Sequence, residues 1–220
     1  VGAALFIGSF VSLMRIDPGF DTSNVLTAQI TPRMTPGVPA DFGASYQQVV
    51  HRIGEIPGVE QASIISGGMP LGGSMSSTTI TIPGREMPKD DDGVSIRRVS
   101  ADYHAALRIP LRSGRLFDDT DRAGSPLVVI VNDAFVKKYL PGEDPLGQSV
   151  SSNKSTRTIV GVVGDVHQTS LETEPIAEVY APIAQLPTGS GELIVRTTAN
   201  PYDVLPAVRA AALEVLPNVP

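Results

Sequence analysis

An amphipathic helix framed by two short apolar strands restricts this fold more than any other feature. Val25–Ile30 and Val59–Ile65 each read as a strand, and a helix runs between them from about Asp41 to Glu55. Phe42, Tyr46, Val49, Val50, Ile53 and Ile56 fall on one face of that helix at the 3.6-residue period. Asp41 stands where an N-cap belongs, and Pro57-Gly58 is a stop signal. Together these make a β-α-β unit.

The far end repeats the pattern. Glu192–Thr197 reads as a strand, and a helix follows from about Asp203 to Leu216, with Val204, Val208, Ala211, Ala212 and Val215 as its apolar stripe. With Asp203 as N-cap, Pro206 falls at the third helical position, where its missing N–H removes no bond. The strand that would complete this second unit has to come after Pro220.

The stretch between the two units has a different texture. Ser66–Ser77 (SGGMPLGGSMSS) reads as a flexible linker or mobile loop. Thr78–Ile82, Val94–Val99, Leu127–Val131, Thr158–Val163 and Glu178–Tyr180 read as strands, the third and fourth as buried ones. Asp102–Leu107 suits a helical turn, and Asn132 caps a short helix over Asp133–Tyr139. The predicted class is α+β: a small α/β insert between two β-α-β halves.

Composition excludes several functions. Lys and Arg number 17 against 23 Asp and Glu, a net charge of -6, which is the wrong sign for a nucleic-acid groove. The chain has no cysteine, so disulfides, zinc-thiolate sites and thiol catalysis are out. Its 21 glycines and 19 prolines call for many turns and short elements.

The first 14 residues, Val1–Met14, carry no charge, and Arg15 ends the run. As a helix they would reach roughly 21 Å, short of a ~30 Å hydrocarbon layer. Three readings are open: the closing turns of a membrane helix, a core helix, or a truncated signal.

Motifs for chemistry are sparse. Gly161-Val-Val-Gly164-Asp165 lacks the third glycine and the following helix of a dinucleotide fingerprint, so Gly164 is read as turning the chain. No P-loop and no G-x-S-x-G elbow occur. His51 sits beside a helix stripe, and His104 belongs to an expected surface turn. Asp165 and His167 share one side of an extended segment, but two ligands are too few for a stable zinc site. The acids Asp90, Asp91 and Asp92, and Asp118, Asp119 and Asp121, read as capping or solvated loops, because the second set lacks the glycine and distal glutamate of a calcium loop. The chain is expected to be noncatalytic, with no metal, no cofactor and no catalytic residue.

An ordered set of phrases carries a resemblance. They are Ile16-Asp-Pro-Gly-Phe20-Asp21 with Asn24-Val-Leu26, Ile56-Pro-Gly-Val59, and Val99-Ser-Ala-Asp-Tyr103 with Leu107-Arg-Ile-Pro110. Gly114-Arg115-Leu-Phe117, Val129-Ile-Val-Asn132-Asp-Ala, Tyr139-Leu-Pro-Gly142 with Pro145-Leu-Gly147, and Ile159-Val-Gly-Val-Val-Gly-Asp-Val166 follow. In this order they resemble the extracytoplasmic domain of MacB-like, FtsX-like ABC transporter permeases. The resemblance implies a porter-like subdomain of two β-α-β units with an inserted Sabre-like α/β subdomain. It divides the chain into 1–19 (the end of a transmembrane helix and its exit), 20–90 (porter-like, first part), 91–187 (insert) and 188–220 (porter-like, second part, expected to be truncated).

The resemblance also implies a function: a noncatalytic domain outside the inner membrane that passes ATP-driven movement to export. Its implied partners are a cytoplasmic ABC ATPase, a second permease copy or half, and a periplasmic adaptor, with no nucleic acid and with anchoring in the membrane. The isolated domain is expected to be a monomer or weak dimer. Ser66–Ser74 is a candidate contact element. The competing readings are a freestanding periplasmic solute-binding module, the outer domain of a lipoprotein-release permease, and an enzyme using Asp165 and His167.

Overall fold

Strands β1 (Val25–Ile30) and β2 (Val59–Ser66) frame helix α1 (Phe42–Gly54), as the hydrophobic periods require. The two strands are not neighbours. Strand β10 (Gly191–Thr197) lies between them and is antiparallel to both, with Ile194 opposite Thr27 on one side and Ser63 on the other. In the computed structural model, which describes residues 16–31, 42–72, 76–88, 91, 93–152 and 155–216, the first unit is therefore a split β-α-β. The uncharged run Val1–Met14, the expected cap Asp41, and Asp90 and Asp92 lie outside the described residues.

Helix α1 buries Tyr46, Val49 and Ile53, half of the predicted stripe. They pack with Val204 and Val208 against Ile64, Leu193 and Val195 of the sheet. Each such aliphatic side chain contributes about 1.5–3 kcal/mol when fully buried. The last helix starts differently from expectation. Asn200, not Asp203, is the capping residue: its side chain accepts from Tyr202 N–H and starts a 3-10 turn over Pro201–Asp203. Helix α4 (Leu205–Val215) follows from Val204, with Pro206 in its first turn where no N–H is needed.

Beyond β2 the same sheet continues. Strand β4 (Val94–Val99) meets β2 through the pairs Ile65–Val99 and Ser66–Arg98. Strand β9 (Glu178–Pro182) is parallel to β4, β6 (Val128–Asn132) is antiparallel to β9, and β8 (Ser155–Val163) is parallel to β6. Strand β5 (Leu111–Gly114) closes the far edge, giving the order β1-β10-β2-β4-β9-β6-β8-β5. Strand β3 (Ser77–Thr78) adds to β4 and β7 (Ser149–Ser152) to β8. A mixed sheet with helices laid on it is the α+β class read from the sequence.

Three further details depart from the sequence reading. The strand expected over Thr78–Ile82 shrinks to Ser77–Thr78 and a lone bridge between Thr81 and Ser151, while Ile80 and Ile82 still drop into the core. Strands β5 and β7 were not expected, because LRSG and SVSS lack an apolar alternation. His104 does not face solvent. Helix α2 (Tyr103–Ala106) turns it inward to 0% exposure, among the rings of Tyr103, Tyr180 and Phe117. Helix α3 (Asp133–Tyr139) does start as predicted, with the Asn132 side chain accepting from Phe135 N–H at 3.0 Å.

Candidate functional site: a strap held by buried arginines

Arg97 and Arg196 are the largest fully buried side chains. An arginine in a core stays charged, so every N–H must find an acceptor. Arg196 sits on β10 two residues from Ile194, so the strand period turns it to the same core face. There its Nε donates to Ala106 O at 2.5 Å, at the open end of α2, and Nη1 donates to Ser23 O at 2.7 Å. Nη2 donates to Asp21 O. Burial pushes the Arg196 pKa down, and the nearby Arg108 charge adds to that.

These bonds hold a strap, Asp17–Asn24, that leads into β1. Phe20 is buried with Leu107 and Val166 in the core. His167 N–H donates to Pro18 O at 3.0 Å, Asp21 N–H to Leu107 O at 2.9 Å, and Thr197 N–H to Asn24 O at 2.9 Å. Gly19 has φ of +83°, and a Cβ there would stand 2.0 Å from Asp165 O, so only glycine fits the approach. The Asp21 carboxylate accepts from Ser23 N–H at 2.7 Å and pairs with Arg108 at 2.8 Å. The hydrogen bonds from Ser23 come first in lowering its pKa to about 2, and Arg196 and Arg108 add to them.

Arg97, on β4, makes the second joint. Its Nε pairs with Glu178 Oε1 at 3.1 Å, its Nη2 donates to Gln168 Oε1 at 2.6 Å, and its Nη1 donates to the carbonyls of Gly67 and Gly68. Gln168 Nε2 and Tyr180 Oη both donate to Glu178 Oε2, at 2.7 and 2.8 Å. Burial pushes the Glu178 pKa up, while Arg97 pulls it back. The loop read as mobile is thus pinned at its base. Neither arginine was singled out from sequence. The available signal was a charge at a core-facing register position inside an apolar strand, as in ELIVRT.

The residues singled out from sequence do other work. Asp165 Oδ1 accepts from Ala134 N–H at 2.8 Å, and His167 Nδ1 lies 2.9 Å from Thr173 O. Both line a cleft of about 510 Å³ with Asp17, Asp133 and Arg112. Among the described residues no three His, Cys, Asp or Glu side chains converge as a metal site would need. Asp121 is buried in a two-point pair with Arg115 at 2.7 and 2.8 Å, and Asp118 accepts from Thr120 N–H. Asp102, Asp118 and Asp119 line a cleft of about 170 Å³ beside His51. His51 is exposed. Gly164 packs against Pro110, whose Cγ would lie 2.9 Å from an added Cβ.

A profile of the MacB-like periplasmic core domain matches residues 1–215. The chain belongs to that family. Solved structures agree on the fold. The periplasmic region of MacB from Actinobacillus actinomycetemcomitans superposes with a TM-score of 0.61 at 16% identity, over 94% of this chain and 90% of that one. The extracellular domain of the noncanonic ABC-type transporter YknZ from Gram-positive bacteria gives 0.54 at 16% identity, over 87% and 92%. A domain of a putative permease from Porphyromonas gingivalis gives 0.54 at 16%, over 90% and 86%. No match is found among curated proteins. This MacB-like domain is thus the periplasmic part of an ABC transporter permease. Among the described residues no helix is long and apolar enough to cross a membrane.

Proposed function

We propose that this MacB-like domain is a noncatalytic lever head, which turns ATP-driven movement of membrane helices into rearrangement outside the membrane during export. The observation that carries the reading is the strap. Its lead-in segment is fixed by Phe20 in the core, by the Arg196 guanidinium on backbone carbonyls, and by Gly19 against Asp165 O. A displaced strap therefore moves the body with it. In this reading Val1–Met14 is the end of a membrane helix, and residues 1–19 are its exit. The porter-like part is 20–90 with 188–220, and the insert is 91–187. What supports the division is the two-pair seam between β2 and β4. The partners that fit are a cytoplasmic ABC ATPase, a second permease copy or half, and a periplasmic adaptor.

The test is Arg196→Met in the full-length transporter, with hydrogen exchange checking that the domain stays folded. The expected result is faster exchange at residues 17–24 and transport lost while ATP hydrolysis continues. A folded variant with a loosened strap and unchanged transport per ATP would refute the role.

A further inference from the structure

Helix α2 is seated in the core on poor terms. Tyr103 Oη and both ring nitrogens of His104 are buried without a hydrogen-bond partner among the described residues, and the Asp102 side chain makes no cap bond. Each buried orphan gives up its water and gains nothing in return. The chain leaves the helix through Arg108 at φ of +55°, a left-handed conformation that a Cβ disfavours. Orphaned groups and backbone strain on one four-residue helix mark it as a place that opens ahead of the rest.

The same helix holds the strap. Ala106 O accepts from Arg196 Nε, Leu107 O accepts from Asp21 N–H at 2.9 Å, and the Arg108 side chain pairs with Asp21 at 2.8 Å. His104 O accepts from Ile109 N–H at 2.8 Å, so the histidine itself closes the turn that presents these groups. We propose that His104 is an acid-operated latch: when its ring takes a proton, α2 leaves its seat in the core and releases the strap. Its consequence rests on the lever-head role, and is that acid outside the membrane uncouples transport from ATP hydrolysis.

The elements packed around the ring offer an imidazolium no free anion. On β9, Tyr180 Oη is spent on Glu178 Oε2 at 2.8 Å, and Glu178 is paired with Arg97 at 3.1 Å. On β10, Arg196 is a second cation, at the end of α2. On β2, Glu60 pairs with Arg108. Asp118, after Phe117, accepts from Thr120 N–H, and Asp102 lines the 170 Å³ cleft. In the closed form burial alone lowers the ring pKa from 6.5 to about 3, and in the opened form water restores it. The closed form is thus fully favoured above pH 6.5 and loses ground as pH falls towards 3; opening gains about thirtyfold between pH 7.5 and pH 5. Neighbouring acids do not imitate this. Asp21, at about 2, stays ionised throughout, and burial raises Asp102, Asp165 and Glu178, which acid relieves. His167, beside the strap, has an exposed ring at Thr173 O and serves as the control.

The experiment follows hydrogen exchange on the full-length transporter at pH 7.5 and pH 5, each rate divided by the intrinsic rate at that pH, in wild type, His104→Leu and His167→Gln. In wild type and His167→Gln, protection of residues 17–24 and 103–109 is expected to fall about thirtyfold at pH 5. It is expected to stay below that of β6 and β8 at both pH values, as a local opening requires. His104→Leu is expected to show no such fall, and His104→Phe takes its place if leucine leaves the domain unfolded at pH 7.5. Three results overturn the latch: wild-type strap protection that does not respond to acid, an equal fall in the non-titrating variant, or a strap as well protected as β6 and β8 at pH 5, which would mean that only whole-domain unfolding responds. Transport per ATP at the same two pH values tests the role beneath it. A strap that loosens in acid with unchanged transport per ATP would sink the lever-head role and leave the latch standing. A strap that stays closed in acid removes the latch alone.

Discussion

His104 gives the most direct test of the packing. Its ring is fully buried among Tyr103, Tyr180 and Phe117, and neither ring nitrogen has a hydrogen-bond partner among the described residues. Burial alone lowers its pKa from 6.5 to about 3. The neutral ring is the folded form, so the unfolded chain takes up a proton that the folded one refuses. This contribution to stability is complete above pH 6.5 and is lost as pH falls from 6.5 towards 3. Between pH 7.5 and pH 5 the loss is about 1.5 pKa units' worth, or roughly 2 kcal/mol. Asp102, Asp165 and Glu178 act in the opposite sense, because burial raises their pKa and acid relieves them. The informative quantity is therefore a difference. Urea unfolding of the wild type and of His104→Leu at both pH values is expected to show the wild type losing about 2 kcal/mol more than the variant. At pH 7.5 the variant is expected to be as stable or more so, because two orphaned nitrogens are gone. Parallel pH dependence in the two proteins would show that the ring is hydrated or paired, and the aromatic box around it would have to be redrawn.

Three further changes probe the joints. Arg97→Met leaves Glu178 buried without its cation and is expected to cost about 3–5 kcal/mol in urea unfolding, with part regained in Arg97→Met/Glu178→Gln; a loss under 1 kcal/mol would show the pair to be wet. Gly19→Ala meets both a positive φ and a carbonyl 2.0 Å away, so hydrogen exchange is expected to show the strap released from Asp165 and the melting temperature lowered. Asn132→Ala removes the cap on Phe135 N–H, the acceptor for Glu178 N–H at 2.8 Å and the donor to Ile176 O at 2.8 Å. It is expected to cost about 2–4 kcal/mol, with Asn132→Asp, which keeps the acceptor, losing less.

What could be read from sequence divides along physical lines. Helix α1 was legible because its stripe repeats over several turns, and Asn132 because a cap has a fixed chemistry. The insertion of β10 between β1 and β2 was not, since strand order is a long-range property that no local period encodes. His104 was misplaced because a four-residue helix carries too few positions to show a face. The Asp165–His167 pair was visible as chemistry but is taken up by backbone groups, Ala134 N–H from a distant helix and Thr173 O from the nearby loop. The buried arginines left a trace, a charge at a core-facing position of an apolar strand, but their partners were illegible because these are mainly carbonyls, which every residue has.

That choice of acceptor bears on how force would travel. Arg196 reaches three carbonyls, of Asp21, Ser23 and Ala106, from segments far apart in sequence, and Arg97 reaches those of Gly67 and Gly68. An apolar contact can slide by an ångström with little loss, because dispersion and burial are non-directional. A hydrogen bond cannot, since it weakens steeply with distance and angle. Pulling the strap by an ångström therefore strains the Arg196 bonds to Asp21 O and Ser23 O together, along with the Pro18, Asp21 and Asn24 backbone bonds, while the bond to Ala106 O keeps Arg196 on the body. Gly19 leaves no slack on the other side, where Asp165 O already occupies the space of a side chain. Local yielding is thus the costly response and rigid movement of the body the easy one, which a lever head needs and a flexible tether would defeat.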